Sequence, residues 1–220
     1  MTSIDLVETG AEWPRLHAVE APGGAATDPR PPIDRERAAA AVADLLEALG
    51  RDIRSPHLAD TPRRVADAFA EMLTPRPFAP TSFTNDEDYD DLVVVAGIPF
   101  DSLCEHHLLP FSGVAHVGYV PGDRLVGLSK LARVVEYFAR DLQVQERLTR
   151  QVVRWLDDEL GPRGVGVVIE AEHLCMSLRG VQARGTRTVT SAYSGMVRDD
   201  ARTRRDFLAR CGVGGAGSAA

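Results

Sequence analysis

Asp91-Leu92-Val93-Val94-Val95-Ala96-Gly97 and, a short way on, Gly113-Val114-Ala115-His116-Val117-Gly118-Tyr119-Val120 are the stretches on which the fold turns. β-Branched residues dominate both, and Pro121-Gly122-Asp123 closes the second with a turn signal, so both read as strands. Outward from them the period changes. Upstream, Ala38, Ala41, Val42, Leu45, Leu46 and Leu49 recur on one helical face over Arg35 to Leu49, with Asp34 as N-cap and Gly50 as the stop. Thr61-Pro62 opens a second helix that carries Val65, Phe69, Met72 and Leu73 inward and ends before Pro75. Downstream, Leu131, Val134, Val135, Phe138 and Leu142 mark a helix from Ser129 to about Leu142. Leu148, Val152, Trp155 and Leu156 mark another from about Gln145 to Leu160, closed by Gly161-Pro162. Val165, Val167, Ile169 and Ala171 alternate as a strand, Thr186 to Ala192 is one more, and Ala201 to Arg210 is a last helix. Helices and strands in blocks predict a segregated α+β fold, not an alternating one.

The ends have no period. Residues 1–32, with Ala21-Pro22-Gly23-Gly24 and Pro29-Arg30-Pro31-Pro32, read as a disordered N-terminal arm, and 212–220 as a frayed C-terminal tail. That leaves one domain over 33–211, helical over 33–80 and sheet-bearing over 90–211, as the length of 220 residues predicts. Acidic side chains outnumber basic ones 32 to 25, a formal charge of −7 with no basic tail. Nucleic acid is therefore not the expected partner, although a local basic pocket for a small anion is compatible with that total. No apolar run approaches the ~18 residues of a membrane span. The best candidate, Leu92 to Phe100, is broken by Gly97 and Pro99. Met1-Thr2-Ser3-Ile4-Asp5 lacks the basic and apolar regions of a signal peptide, so a cytoplasmic location is expected. Three cysteines, an odd and sparse set, do not form a disulfide framework there. Cys211 lies outside every motif and is read as non-functional.

The densest chemistry is Cys104-Glu105-His106-His107, with a second cluster at His173-Leu174-Cys175. Cys104 and His107 have a chelating spacing in a turn, and Cys175 joins them only through the fold. Two thiolates and one imidazole make three ligands, and zinc with three protein ligands keeps a fourth position for water, whose pKa it lowers towards ~7. Singly, such cysteines are small buried hydrophobes and such histidines satisfied core residues. Two histidine–cysteine clusters buried without a ligand would be costly. His106 and His173 are not needed as ligands and titrate near neutrality, which suits proton transfer.

Gly127-Leu128-Ser129-Lys130 opens a helix, with Arg133 one turn on: free N–H groups, a hydroxyl and two cations favour an anion such as phosphate. The same residues equally describe an ordinary helix start with solvated cations. Arg179-Gly180 and Arg63-Arg64 add to a polyphosphate pocket if the fold gathers them. Glu146, at a helix start, either favours the helix dipole or accepts two hydrogen bonds from a planar base such as guanine.

Together, Ser102-Leu103-Cys104-Glu105-His106-His107, Gly127-Leu128-Ser129-Lys130, Gln145-Glu146-Arg147-Leu148-Thr149 and His173-Leu174-Cys175-Met176-Ser177-Leu178-Arg179-Gly180-Val181 closely resemble GTP cyclohydrolase I. The resemblance runs on through Thr188-Val189-Thr190-Ser191 and Thr203-Arg204-Arg205-Asp206-Phe207-Leu208, and covers about Arg35 to Cys211. It implies Zn2+ held by Cys104, His107 and Cys175, and proton-transfer (catalytic) roles for His106 and His173. It places Glu146 on the guanine edge with Gln145 beside it, and Ser129, Lys130, Arg133 and Arg179 on the triphosphate. Arg64 is a further contact; one turn after it, where some relatives are basic, this chain has Asp67.

The implied reaction is hydrolysis of GTP to 7,8-dihydroneopterin triphosphate and formate, the first step of tetrahydrofolate and pterin biosynthesis. Water attacks C8, the imidazole ring opens, formate leaves, and the rearranged ribose closes onto the freed amine. The implied fold is the tunnelling fold: a four-stranded antiparallel sheet with helices on one face plus an N-terminal helical region. Its subunits join into a toroidal homodecamer with active sites at subunit interfaces. Two rival readings are a relative on the same fold acting on another pterin or purine, and a non-catalytic, zinc-stabilised nucleotide binder. The second has no use for His106, His173 and Glu146.

Overall fold

The computed structural model describes residues 19–20 and 31–212. The chain order is β1 (Val19–Glu20), α1 (Arg35–Ala48), α2 (Thr61–Met72), β2 (Thr81–Thr84), β3 (Val93–Cys104), β4 (Pro110–Val120) and β5 (Arg124–Val126). Then come α3 (Leu128–Ala139), β6 (Leu142–Gln143), α4 (Gln145–Leu160), β7 (Gly164–His173), α5 (Leu174–Ser177), β8 (Thr188–Ser194), α6 (Gly195–Asp199) and α7 (Ala201–Cys211). Of the expected arm, Val19–Glu20 pair with β2; the remainder up to residue 30, and the tail from 213, lie outside the described residues. None of the described helices is long and apolar enough to cross a membrane.

The α+β class holds, and β3, β4, β7 and β8 form the expected run of four antiparallel strands. Two details differ. A fifth strand, β6, pairs parallel to the end of β3, so the sheet order is β6-β3-β4-β7-β8 and the sheet is mixed. Leu142 belongs to β6, because α3 ends at Ala139. A separate small sheet, β1-β2-β5, lies beside it. The strand expected to stop at Gly97 continues as β3 to Cys104. Gly97 adopts φ 73° where the register slips between Val95 and Ile98, so the glycine makes a bulge and not an end. Pro99 is tolerated because β3 has only β4 beside it there.

Side-chain alternation on β4 and β7 sends Ala115, Val117, Tyr119, Val165, Val167 and Ile169 into the main core, where Leu131, Val134 and Val135 of α3 and Leu148, Val152 and Leu156 of α4 meet them. Each such fully buried side chain contributes roughly 1.5–3 kcal/mol. The expectation of helices on one face only is corrected by α7. Phe207, Val197 of α6 and Cys211 build a second cluster on the opposite face with Val168, Leu92 and Val120. The reason lies in two glycines: a Cβ at Gly118 or Gly166 would come within 2.9 or 2.8 Å of the Phe207 ring. Their bare backbone is the floor on which that ring sits.

The N-terminal helices also differ from the pattern. Asp34 caps α1 by accepting from the Arg37 N–H at 2.9 Å, as expected, yet α1 buries nothing fully, and Leu45 and Leu49 stay 56% and 63% exposed. In α2 the most buried residues are Ala66 and Ala70, with Val65, Phe69, Met72 and Leu73 only half-buried.

One buried histidine sets a pH response. His116 of β4 accepts from the Gly97 N–H at 3.3 Å and lies 3.9 Å from the Glu170 carboxylate. Burial pushes it below its ordinary value of 6.5, with Glu170 opposing. A lowered folded value means the unfolded chain binds the proton more tightly. Stability is therefore full above the ordinary value and drains away as the pH falls through it towards the folded one. Calorimetry is expected to show the thermal midpoint dropping from about pH 7 to about pH 5, with a shallower drop in His116→Asn; parallel profiles would refute this.

Candidate functional site

The pairing register brings the two clusters together at one end of the sheet. Phe111 of β4 is opposite both Ser102 of β3 and His173 of β7, and Cys104 is opposite Gln143 of β6. After Cys104 the chain reverses through a turn in which His107 and Leu108 donate to the Cys104 carbonyl and Cys104 donates to that of Leu109. Leu108 takes φ 54°, a conformation L residues rarely adopt, directly behind His107. Across the sheet, β7 passes straight into α5, whose first turn carries Cys175.

The ligand atoms of Cys104, His107 and Cys175 lie within 4.8 Å of one another. The two sulfurs are 4.0 Å apart, and Cys104 Sγ is 3.9 Å from His107 Nδ1. Two sulfurs each ~2.3 Å from a tetrahedral ion are about 3.8 Å apart, so the set fits zinc with little adjustment. All three cysteines are free. Burial and the neighbouring Cys104 push the Cys175 thiol up, with Arg179 opposing. A divalent cation between the two sulfurs would favour the ionised form that binds it.

The proton-transfer candidates flank this set. His106 Nδ1 is 3.8 Å from Cys104 Sγ, and its Nε2 is 3.9 Å from Glu105, which Arg147 holds at 2.6 Å. His173 stacks on Phe111 with ring centres 4.5 Å apart and planes 2° from parallel. Its Nε2 meets Gln145 Oε1 at 2.7 Å. Burial lowers its pKa, and the Glu146 carboxylate opposes that. Glu146 is exposed in the first turn of α4, whereas Gln145 is 1% exposed. Arg179 reaches the same corner, 3.4 Å from His107 Nε2.

The remaining anion candidates are elsewhere. The start of α3 follows β5, and the Val126 N–H donates to Tyr119 Oη, so Ser129 and Lys130 sit near the Tyr119 end of β4. The eleven residues of β4 put that end about 30 Å from the Phe111 end. Arg133 lines a cavity of about 590 Å³ with Asp101, Ser102, Glu136 and Arg140. Arg64 is paired with Asp60 at 3.6 Å, while Asp67 binds Arg35 at 2.8 Å. Phe111 and the Glu105–Arg147 pair escaped the sequence reading. Phe111 reaches His173 through cross-strand register, and Glu105 meets Arg147 across a turn and a helix, neither of which local spacing encodes.

A family model for GTP cyclohydrolase I matches residues 38–212. The protein named GTP cyclohydrolase 1 from Mycobacterium tuberculosis (strain ATCC 25618 / H37Rv) is 52% identical over 181 residues, covering 80% of this chain and 90% of that protein. The one of the same name from Mycobacterium ulcerans (strain Agy99) is 51% identical with the same coverage. Among solved structures, an archaeosine synthase QueF-Like in the apo form aligns with 48% of this chain and 94% of its own, with 17% identity and a TM-score of 0.40. With the cysteine, histidine and glutamine motifs meeting at one end of the sheet and the match spanning nearly all of the described residues, this chain belongs to the GTP cyclohydrolase I family.

Proposed function

We propose that this chain hydrolyses GTP to 7,8-dihydroneopterin triphosphate and formate, at zinc sites completed by neighbouring copies of itself. The observation that carries the reading is the gathering of Cys104, His107 and Cys175 beside His106 and His173. Cys104, His107 and Cys175 would hold zinc, which when bound supplies Lewis-acid activation of water near neutral pH.

The chain's own groups do the rest. Glu146, exposed in the first turn of α4, accepts from the N1–H and amino group of guanine and so turns the imidazole half of the purine towards the two histidines. His173 and His106 carry protons to and from the purine nitrogens as the ring opens, and later during ribose rearrangement, the general acid–base work imidazoles are suited to. Arg179 lies beside His107 for the phosphate side. Ser129 and Lys130, at the start of α3 and away from their own chain's Cys104, serve the site of an adjacent copy, with Arg133 one turn further along the helix. An assembly of this kind also covers the sheet edge at β8 and the exposed apolar face of α1. The tunnelling fold, the toroidal decamer and a cytoplasmic location complete the reading.

The test is direct. Purified protein incubated with GTP and then oxidised is expected to yield pterin fluorescence and one formate per GTP, with about one zinc per chain by elemental analysis. Intact GTP after prolonged incubation of zinc-replete protein would sink the proposal.

A further inference from the structure

Gln145 makes more contacts than a residue beside the base requires. Its side chain is buried, and its amide nitrogen lies 2.9 Å from the Ile169 carbonyl, 3.0 Å from that of Thr188 and 3.1 Å from Thr190 Oγ1. Carbonyl oxygens only accept, so the NH2 end must face them and the amide cannot be turned over. The hydroxyls close the circuit in one direction. Thr149 donates to the main-chain carbonyl of Gln145 at 2.7 Å, so its contact with Thr190 Oγ1, also 2.7 Å, is one in which Thr190 donates. Thr190 thereby keeps a lone pair towards the Gln145 amide, whose two hydrogens are shared among the three acceptors.

With the amide fixed, Gln145 Oε1 meets His173 Nε2 at 2.7 Å as an acceptor only. We propose that Gln145 is a positioning residue that keeps the proton of His173 on Nε2 and so leaves Nδ1 as the one ring nitrogen free to act. The Phe111 stack holds the ring plane in which that bond is made. Main-chain carbonyls of β7 and of the start of β8 thus set the tautomer of a histidine at the end of β7, through a single amide. The role rests on the cyclohydrolase reading for its consequence, but not for its geometry.

Magic-angle-spinning 15N spectra of zinc-loaded, 15N-histidine-labelled protein decide it, with His173→Gln used to assign the signal. The expected spectrum has Nε2 protonated and Nδ1 bare. In Gln145→Leu the two tautomers mix and kcat for GTP falls roughly 10- to 100-fold, while KM and zinc content hold. A wild-type ring protonated on Nδ1 and bare on Nε2 overturns the proposal, and so does an unaltered kcat in Gln145→Leu. Should that variant not fold, the wild-type spectrum decides alone. If wild-type protein leaves GTP intact, the cyclohydrolase reading fails while the nitrogen spectrum still settles the tautomer.

Discussion

Cys104→Ala, His107→Ala and Cys175→Ala proteins are expected to purify folded, with background zinc and with GTP turnover reduced by more than ~10³-fold. Folding should survive because the main core is built from the sheet, α3 and α4, with Cys104 at its margin and Cys175 only packed against it. Metal loss should be complete because three ligands are the whole protein set. The pair left behind in Cys104→Ala is a half-exposed thiol pushed up by burial and an exposed imidazole. In Cys175→Ala the remaining sulfur and imidazole share one turn and lack the clamp from across the sheet. Circular dichroism, elemental analysis and a fluorescence assay for pterin separate the three outcomes. Full turnover by metal-stripped protein would falsify the metal reading whatever the variants do.

That expectation draws on residues legible in the sequence, and the difference between what was legible and what was not has a physical cause. Asp34, Gly50, the α4 face and the alternation in β7 are local signals, and each sits where its spacing places it. Cys104 and His107 share a turn, so their pairing is local too. Cys175 meets them because β7 is the second neighbour of β3, a fact held in register and not in spacing. The continuation of β3 past Gly97 was hidden because a bulge glycine and a terminating glycine look alike until the partner strand is known. The second face of the sheet was hidden for a related reason. Gly118 and Gly166 read as breaks in an apolar pattern, yet they make the floor for Phe207 nearly ninety residues downstream of the first. The family resemblance implies Gln145 beside Glu146 at the base; the first turn of α4 sends the two side chains to different surroundings, one buried among carbonyls and one exposed.

The separation within one chain of Ser129 and Lys130 from Cys104, His107 and Cys175 leads to the second large effect. α3 has twelve residues, about 18 Å at 1.5 Å per residue, and it runs from the Tyr119 end of the sheet back towards Gln143, which pairs with Cys104. Ser129 and Lys130 are at its far end. On the proposed reading, a nucleotide held at Cys104, His107 and Cys175 takes its Lys130 from a second copy. Lys130→Glu and Cys175→Ala proteins are each expected to show under ~1% of wild-type turnover, one through loss of triphosphate binding and the other through loss of metal. Co-refolded in equal amounts, they assemble sites at random. A chain with intact thiolates then meets a chain with intact Lys130 in about a quarter of the sites of a symmetric ring. Turnover is therefore expected to return to about 25% of wild type, a gain of more than twentyfold over either parent, with zinc content near one half. A site contained within one chain predicts no recovery, because every chain in the mixture carries one of the two lesions. Mixed assemblies that stay as inactive as their parents would overturn the shared site while leaving the metal triad standing.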